Sequence, residues 1–203
     1  MPTVLPNQYN PARSLFKVAQ MLAILGGFVA GVFWFGGMLT NRDPYWFYPV
    51  FDAQPTVICI YREGAARELR PGQAGYTEFV AAFNREIARF DGAQEGIFPR
   101  GEPGNLTAEG CTLPAEADPS LYYYRLKGYA IEVEYAEETQ VHTQHFFPAS
   151  RRLMLAIKGT FTYIQPEYAF LFRGTKTSYQ SGALVIRDFS KTRAAAEALF
   201  TQP

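Results

Sequence analysis

Leu15–Leu39, LFKVAQMLAILGGFVAGVFWFGGML, is the stretch from which the rest of the chain takes its meaning. After Lys17 no charged side chain occurs until Arg42. As a helix rising about 1.5 Å per residue, that interval is long enough to cross a hydrocarbon core roughly 30 Å thick. A segment in lipid must satisfy its own backbone polar groups, so a helix is expected despite Gly26, Gly27, Gly31, Gly36 and Gly37. The competing reading is a cleaved secretory signal. Its apolar core would be shorter, about 7 to 15 residues, and followed by small residues in an A-x-A-like site. Neither feature is present, and an uncleaved anchor is the better reading.

Within this helix Ala19, Ala23, Gly27 and Gly31 recur every four residues and align small side chains on one face. Such a stripe lets a second helix backbone approach closely, so homo-oligomer formation through the membrane helix is one expectation. Gly and Ala are common in membrane helices generally, which supplies the plainer explanation.

Arg13 and Lys17 are the only charged residues before the span, whereas Arg42 is followed at once by Asp43. The positive-inside tendency then predicts a cytoplasmic N-terminus and an extracytoplasmic C-terminal domain in the cell membrane. The expected division is a tail over 1–14, the transmembrane helix over 15–40, a membrane-proximal linker over 41–55 and a folded domain over 56–203. Tyr45, Trp46, Phe47 and Tyr48 in the linker make an aromatic cluster suited to the membrane–water boundary.

The folded part is long enough for one core. Of the 19 basic and 19 acidic residues, only Arg13 and Lys17 precede the span, so the remainder is nearly neutral and carries no nucleic-acid signature. From Arg151 onward basic residues outnumber acidic ones, which raises a basic face for anionic lipid or protein against the default of a solvated sheet surface. Cys59 and Cys111 are the only cysteines. In an oxidising compartment they would close a long loop and stabilise the fold by about 3 to 4 kcal/mol; as free thiols they would pack as small apolar side chains.

Residues 56–62, TVICIYR, are apolar on both alternating faces and predict a central strand. Phe79, Phe83, Ile87 and Phe90 recur at helical spacing and predict an amphipathic helix over 76–90. From Asp91 to Ser120 Gly, Pro and acidic residues predict a long irregular loop. Its acids, Asp91, Glu95, Glu102, Glu109, Glu116 and Asp118, are too widely spaced for a calcium loop, and Asn105-Leu106-Thr107 is a glycosylation sequon.

Tyr129, Ile131, Val133 and Tyr135 alternate with Ala130, Glu132 and Glu134, as in a half-buried strand. AEET is expected to turn this strand into QVHTQHF as a hairpin. Further strands are expected at 153–158, 160–164, 168–173 and 182–187, and Ser190 is placed to cap a last helix over 191–200. Strands joined by short turns with helices near both ends favour an α+β domain: a largely antiparallel sheet with at least one packed amphipathic helix.

His142 and His145 are the only histidines. Three apart in a strand they would point to opposite faces, which argues against a shared metal ion. A polar pair of His145 with Glu132 is conceivable across the hairpin, though not as a catalytic dyad. No nucleophile elbow, Walker loop or dinucleotide fingerprint occurs, so no cofactor or metal is expected. Two function classes remain. A membrane-anchored binding or accessory protein, touching membrane lipid and a membrane or envelope protein, is preferred over an anchored enzyme whose active site is assembled only by the fold.

Overall fold

The structure is a computed structural model that describes residues 11–48, 50–89, 92–94, 111, 123–159, 168–174 and 179–201. It begins with α1, Pro11–Asn41, which is long and apolar enough over Ser14–Asn41 to cross a membrane. The apolar side chains of that stretch are not buried against the rest of the protein; only Asn41 at its end is. Leu15, Phe16, Met21, Leu22, Ile24, Leu25, Phe28 and Phe33 all point outward. The helix ends where Arg42 takes a left-handed backbone, φ 52°, which stops the α-helical hydrogen-bond series and turns the chain.

The remainder is an α+β unit with one seven-stranded sheet. Its strands are β1 Val57–Arg62, β2 Ala65–Leu69, β3 Gly92–Gln94, β4 Tyr129–Thr139, β5 Ser150–Lys158, β6 Ala169–Gly174 and β7 Tyr179–Ile186. They lie in the order β2-β1-β4-β5-β6-β7-β3, and every neighbouring pair is antiparallel. Two helices, α2 Tyr76–Ile87 and α3 Ser190–Thr201, and one π-helical turn, Tyr123–Lys127, complete the described elements.

The period-2 alternation divides the sheet into two faces. One presents Ile58, Ile60, Ile131, Val133, Leu153, Leu155, Leu171 and Leu184, and buries them against Phe79, Val80, Phe83 and Ile87 of α2 and Ala196 of α3. The other presents Ala130, Met154, Ala156, Phe170, Phe172 and Ala183 beneath Tyr124 of the π turn.

Glu86 ties the two helices together: the Lys191 and Thr192 amides each donate to its carboxylate at 2.8 Å. That buried carboxylate satisfies two of the four amides a helix start leaves open. Ser190 lies inside α3, and its hydroxyl donates to Asp188 at 2.8 Å. The expected Ser190 cap is therefore replaced by a carboxylate from a helix more than a hundred residues away.

Several expectations are corrected. β1 is an interior strand but stands next to the edge strand β2; the middle of the sheet is β5. β4 is covered on both faces as far as Val133, so Glu132 is buried instead of solvated. AEET does not form the hairpin turn, because β4 continues to Thr139 with an irregular register against β5. The histidines consequently lie in the β4–β5 connection and not on a strand. A short strand, β3, occupies part of the expected irregular loop. The rest of 91–120 apart from Cys111, the strand expected over 160–164 and the tail over 1–10 lie outside the described residues.

Candidate functional site

After Arg42 the chain folds back along the helix it has just left. The Asp43 carboxylate accepts from the Tyr45 amide at 2.9 Å, which tightens the turn through Pro44. Trp34 Nε1 then donates to the Pro44 carbonyl at 3.1 Å, and Trp46 Nε1 to the Trp34 carbonyl at 3.4 Å. Trp46 meets Phe33 edge to face, with ring centroids 5.6 Å apart. Gly37 makes this approach feasible, because a Cβ there would fall 2.4 Å from the Trp46 ring. The linker is thus an aromatic hook held to the helix.

The same turn is fastened to the sheet domain. His142 Nδ1 lies 2.9 and 3.1 Å from the two Asp43 carboxylate oxygens. The Asp43 side chain is 2 % exposed, and the Tyr45 ring meets His142 edge to face. Beside this latch, the Arg42 guanidinium sits 5.6 Å from the centre of the Phe146 ring.

The connection that carries His142 has an ordered build. Gln140 Nε2 donates to the Phe147 carbonyl at 2.6 Å, and the His145 amide donates to Thr143 Oγ1 at 3.1 Å. Val141, Thr143 and Phe147 are buried. The His142 ring is held by Asp43, and Glu132, the partner expected for His145, is engaged by Arg125.

Glu132 forms a bidentate pair with Arg125 of the π turn: Nε to Oε1 at 2.6 Å and Nη2 to Oε2 at 2.7 Å. Both side chains are 6 % exposed. Arg125 also lies 5.1 Å from the Tyr61 ring centre. Burial opposes the Arg125 charge, but the Glu132 carboxylate, through its charge and hydrogen bonds, outweighs burial and raises the guanidinium above its ordinary value. Tyr61 and Tyr179 are both pushed up, first by burial and then by the Glu132 charge. The cluster has matched charges, paired by a planar fork, so its chemistry is that of a structural ion pair.

Cys59, on the same face of β1, is bridged to Cys111, with Cα atoms 5.3 Å apart across 52 residues of sequence. The Cys111 amide also donates to Glu68 of β2 at 3.2 Å. Ala19, Ala23, Gly27 and Gly31 lie along α1, with open space where a Cβ would stand at Gly27 and Gly31. Several basic side chains of the C-terminal half are matched one by one: Arg152 with Glu134, Lys158 with Glu63 and Arg193 with Glu197. Those pairings spread charge neutralisation over the sheet and α3. Among the described residues, no three His, Cys, Asp or Glu side chains gather as metal ligands do.

The residues that sequence reasoning missed are Asp43, Arg125 and Phe146. Asp43 and His142 are 99 residues apart, and no local period links them. Comparisons with protein-family models, curated proteins and solved structures found no match.

Proposed function

We propose that the protein is a single-pass membrane protein whose α1 anchors an extracytoplasmic α+β domain, and that this domain binds a membrane or envelope protein. The observation that carries the anchor is the uncovered apolar surface around α1. In water such a surface is unfavourable by about 25 cal/mol per Å², whereas lipid removes that penalty. The Cys59–Cys111 bridge suits an oxidising compartment and supports the outward orientation. A tethered domain meets neighbours at high effective concentration, so binding needs no deep site.

Alkaline carbonate washing of membranes tests the anchor. The full chain should stay with the membrane, and a chain lacking residues 11–41 should be released. Release of the full chain would refute the anchor. Co-purification in mild detergent tests the binding role: a reproducible envelope partner should be retained by the full chain and lost when residues 56–203 are removed. Retention by α1 and the tail alone would assign binding to the helix instead of the domain.

A further inference from the structure

Outside residues 15–50, Phe146 is the only large apolar side chain that is exposed among the described residues. Its relative exposure is 52 %, in a connection whose neighbouring Val141 and Phe147 are buried. The Gln140–Phe147 hydrogen bond closes that connection, and the Asp43–His142 latch fixes it beside the end of α1. The ring is thus held outward by ordered surroundings. Tyr45, Phe47, Tyr48 and Val50 are exposed in the hook, which continues the uncovered apolar surface of α1.

We infer that the β4–β5 connection is a second lipid-contact element: Phe146 and Arg42 rest in the headgroup region of the bilayer that α1 crosses, and they seat the domain on it. This rests on the anchor reading above. The chemistry favours phospholipid over a protein partner. An aromatic ring beside an exposed guanidinium matches the boundary where acyl chains meet phosphates, and that guanidinium belongs to Arg42, the residue that follows α1.

Depth agrees with this placement. Trp46 hydrogen-bonds at the level of Trp34, so the hook returns toward the membrane instead of leaving it. From Lys17 to Gly37 the helix rises about 30 Å, the hydrocarbon thickness. Residues 38–42 rise about 7 Å more and lie in the headgroup layer with the hook, and Phe146 enters the same layer beside Arg42. A domain held by hook, latch and seat keeps one orientation to the membrane.

The native cysteines are bridged, so an introduced thiol can be labelled selectively. Full-length Phe146→Cys carrying an NBD fluorophore is reconstituted in phosphatidylcholine–phosphatidylglycerol vesicles containing lipids spin-labelled at shallow or deep positions. Leu25→Cys, near the middle of the span, and Lys127→Cys, in the π turn at the far end of β4, a strand roughly 30 Å long, are the comparisons. Position 146 should be quenched several-fold more by the shallow label than position 127, and position 25 most by the deep label. A second probe, His145→Cys, leaves the Phe146 ring in place and should show the same shallow quenching, reduced several-fold by adding Phe146→Asp. If positions 145 and 146 behave like 127 while 25 is deeply quenched, the seat is wrong and the anchor stands. Blue-shifted emission at 146 without lipid quenching means a protein contact and also overturns the seat. If position 25 is unquenched, the anchor fails and the seat falls with it.

Discussion

α1 and α2 are both phenylalanine-bearing helices, yet they bury their rings in opposite senses. Phe28 of α1 is 68 % exposed, while Phe79 of α2 is fully buried. In α2 apolar residues recur with the helical period, so one stripe meets the sheet and Glu78 and Arg85 remain on other faces. In α1 apolar side chains occupy every face, and no sheet covers any of them. The same hydrophobic driving force thus accounts for a one-sided helix beside a protein core, and an all-round apolar helix is what the proposed anchor requires.

The largest effect should come from exchanging the two environments by mutation. Phe79→Ala should destabilise the domain by about 3–5 kcal/mol, through lost transfer energy and the cavity left behind. Phe28→Ala should change domain unfolding by less than about 0.5 kcal/mol. Denaturant titration of both full-length variants in detergent, read by near-UV dichroism, measures the difference; equal losses would mean that α1 belongs to the folding core.

Removal of the bridge by Cys59→Ser with Cys111→Ser tests whether the domain depends on an oxidising compartment in a way α1 does not. For a loop of 52 residues the chain-entropy relation gives about 4 kcal/mol. The denaturation midpoint should fall while carbonate-resistant membrane association persists. An unchanged midpoint would remove this distinction.

Glu132→Gln leaves the Arg125 charge buried without its counter-ion and should destabilise by about 3 kcal/mol. Pairing it with Arg125→Met should recover most of the loss, because the uncompensated charge is then gone. Failure of the second substitution to recover stability would mean that the pair does more than balance charge.

Per group and per pH unit, the smallest effect is alkaline. Tyr61 and Tyr179 have raised folded-state values, so their protonated forms are favoured on folding. Their contribution is complete below the unfolded tyrosine value of about 10 and is lost as pH rises through the higher folded values. Above about pH 10 each should lower stability by about 1.4 kcal/mol per pH unit until it ionises. α1 contains no titrating tyrosine, so its helicity in lipid should not follow that curve. Dichroism of the two regions across pH 9–12 would show whether they part.

The elements with strong local periodicity were legible in the sequence. α1 follows from an uninterrupted apolar run, α2 from Phe79, Phe83 and Ile87, and most of β4 from its alternation. The expected helix continued to Phe90, but α2 ends at Ile87, and β3 is too short, as GAQ, to carry a pattern. Side-chain pairings between elements were not legible. Arg125 reaches Glu132 from a π turn, Glu86 caps α3, and Asp43 meets His142 across almost half the chain. Each pairing depends on three-dimensional closure, which spacing along one strand or helix does not encode. The aromatic hook was visible as a composition, but its return along α1 depends on Trp34, Gly37 and the left-handed Arg42 together.

Protease treatment of intact cells tests the central claim most directly, with separate epitopes on the N-terminal tail and at the C-terminus. An anchored protein with its domain outside should lose the C-terminal epitope and keep a membrane-bound fragment bearing the N-terminal one. Full protection of the C-terminal epitope, while a known external protein is digested, would contradict the proposed orientation.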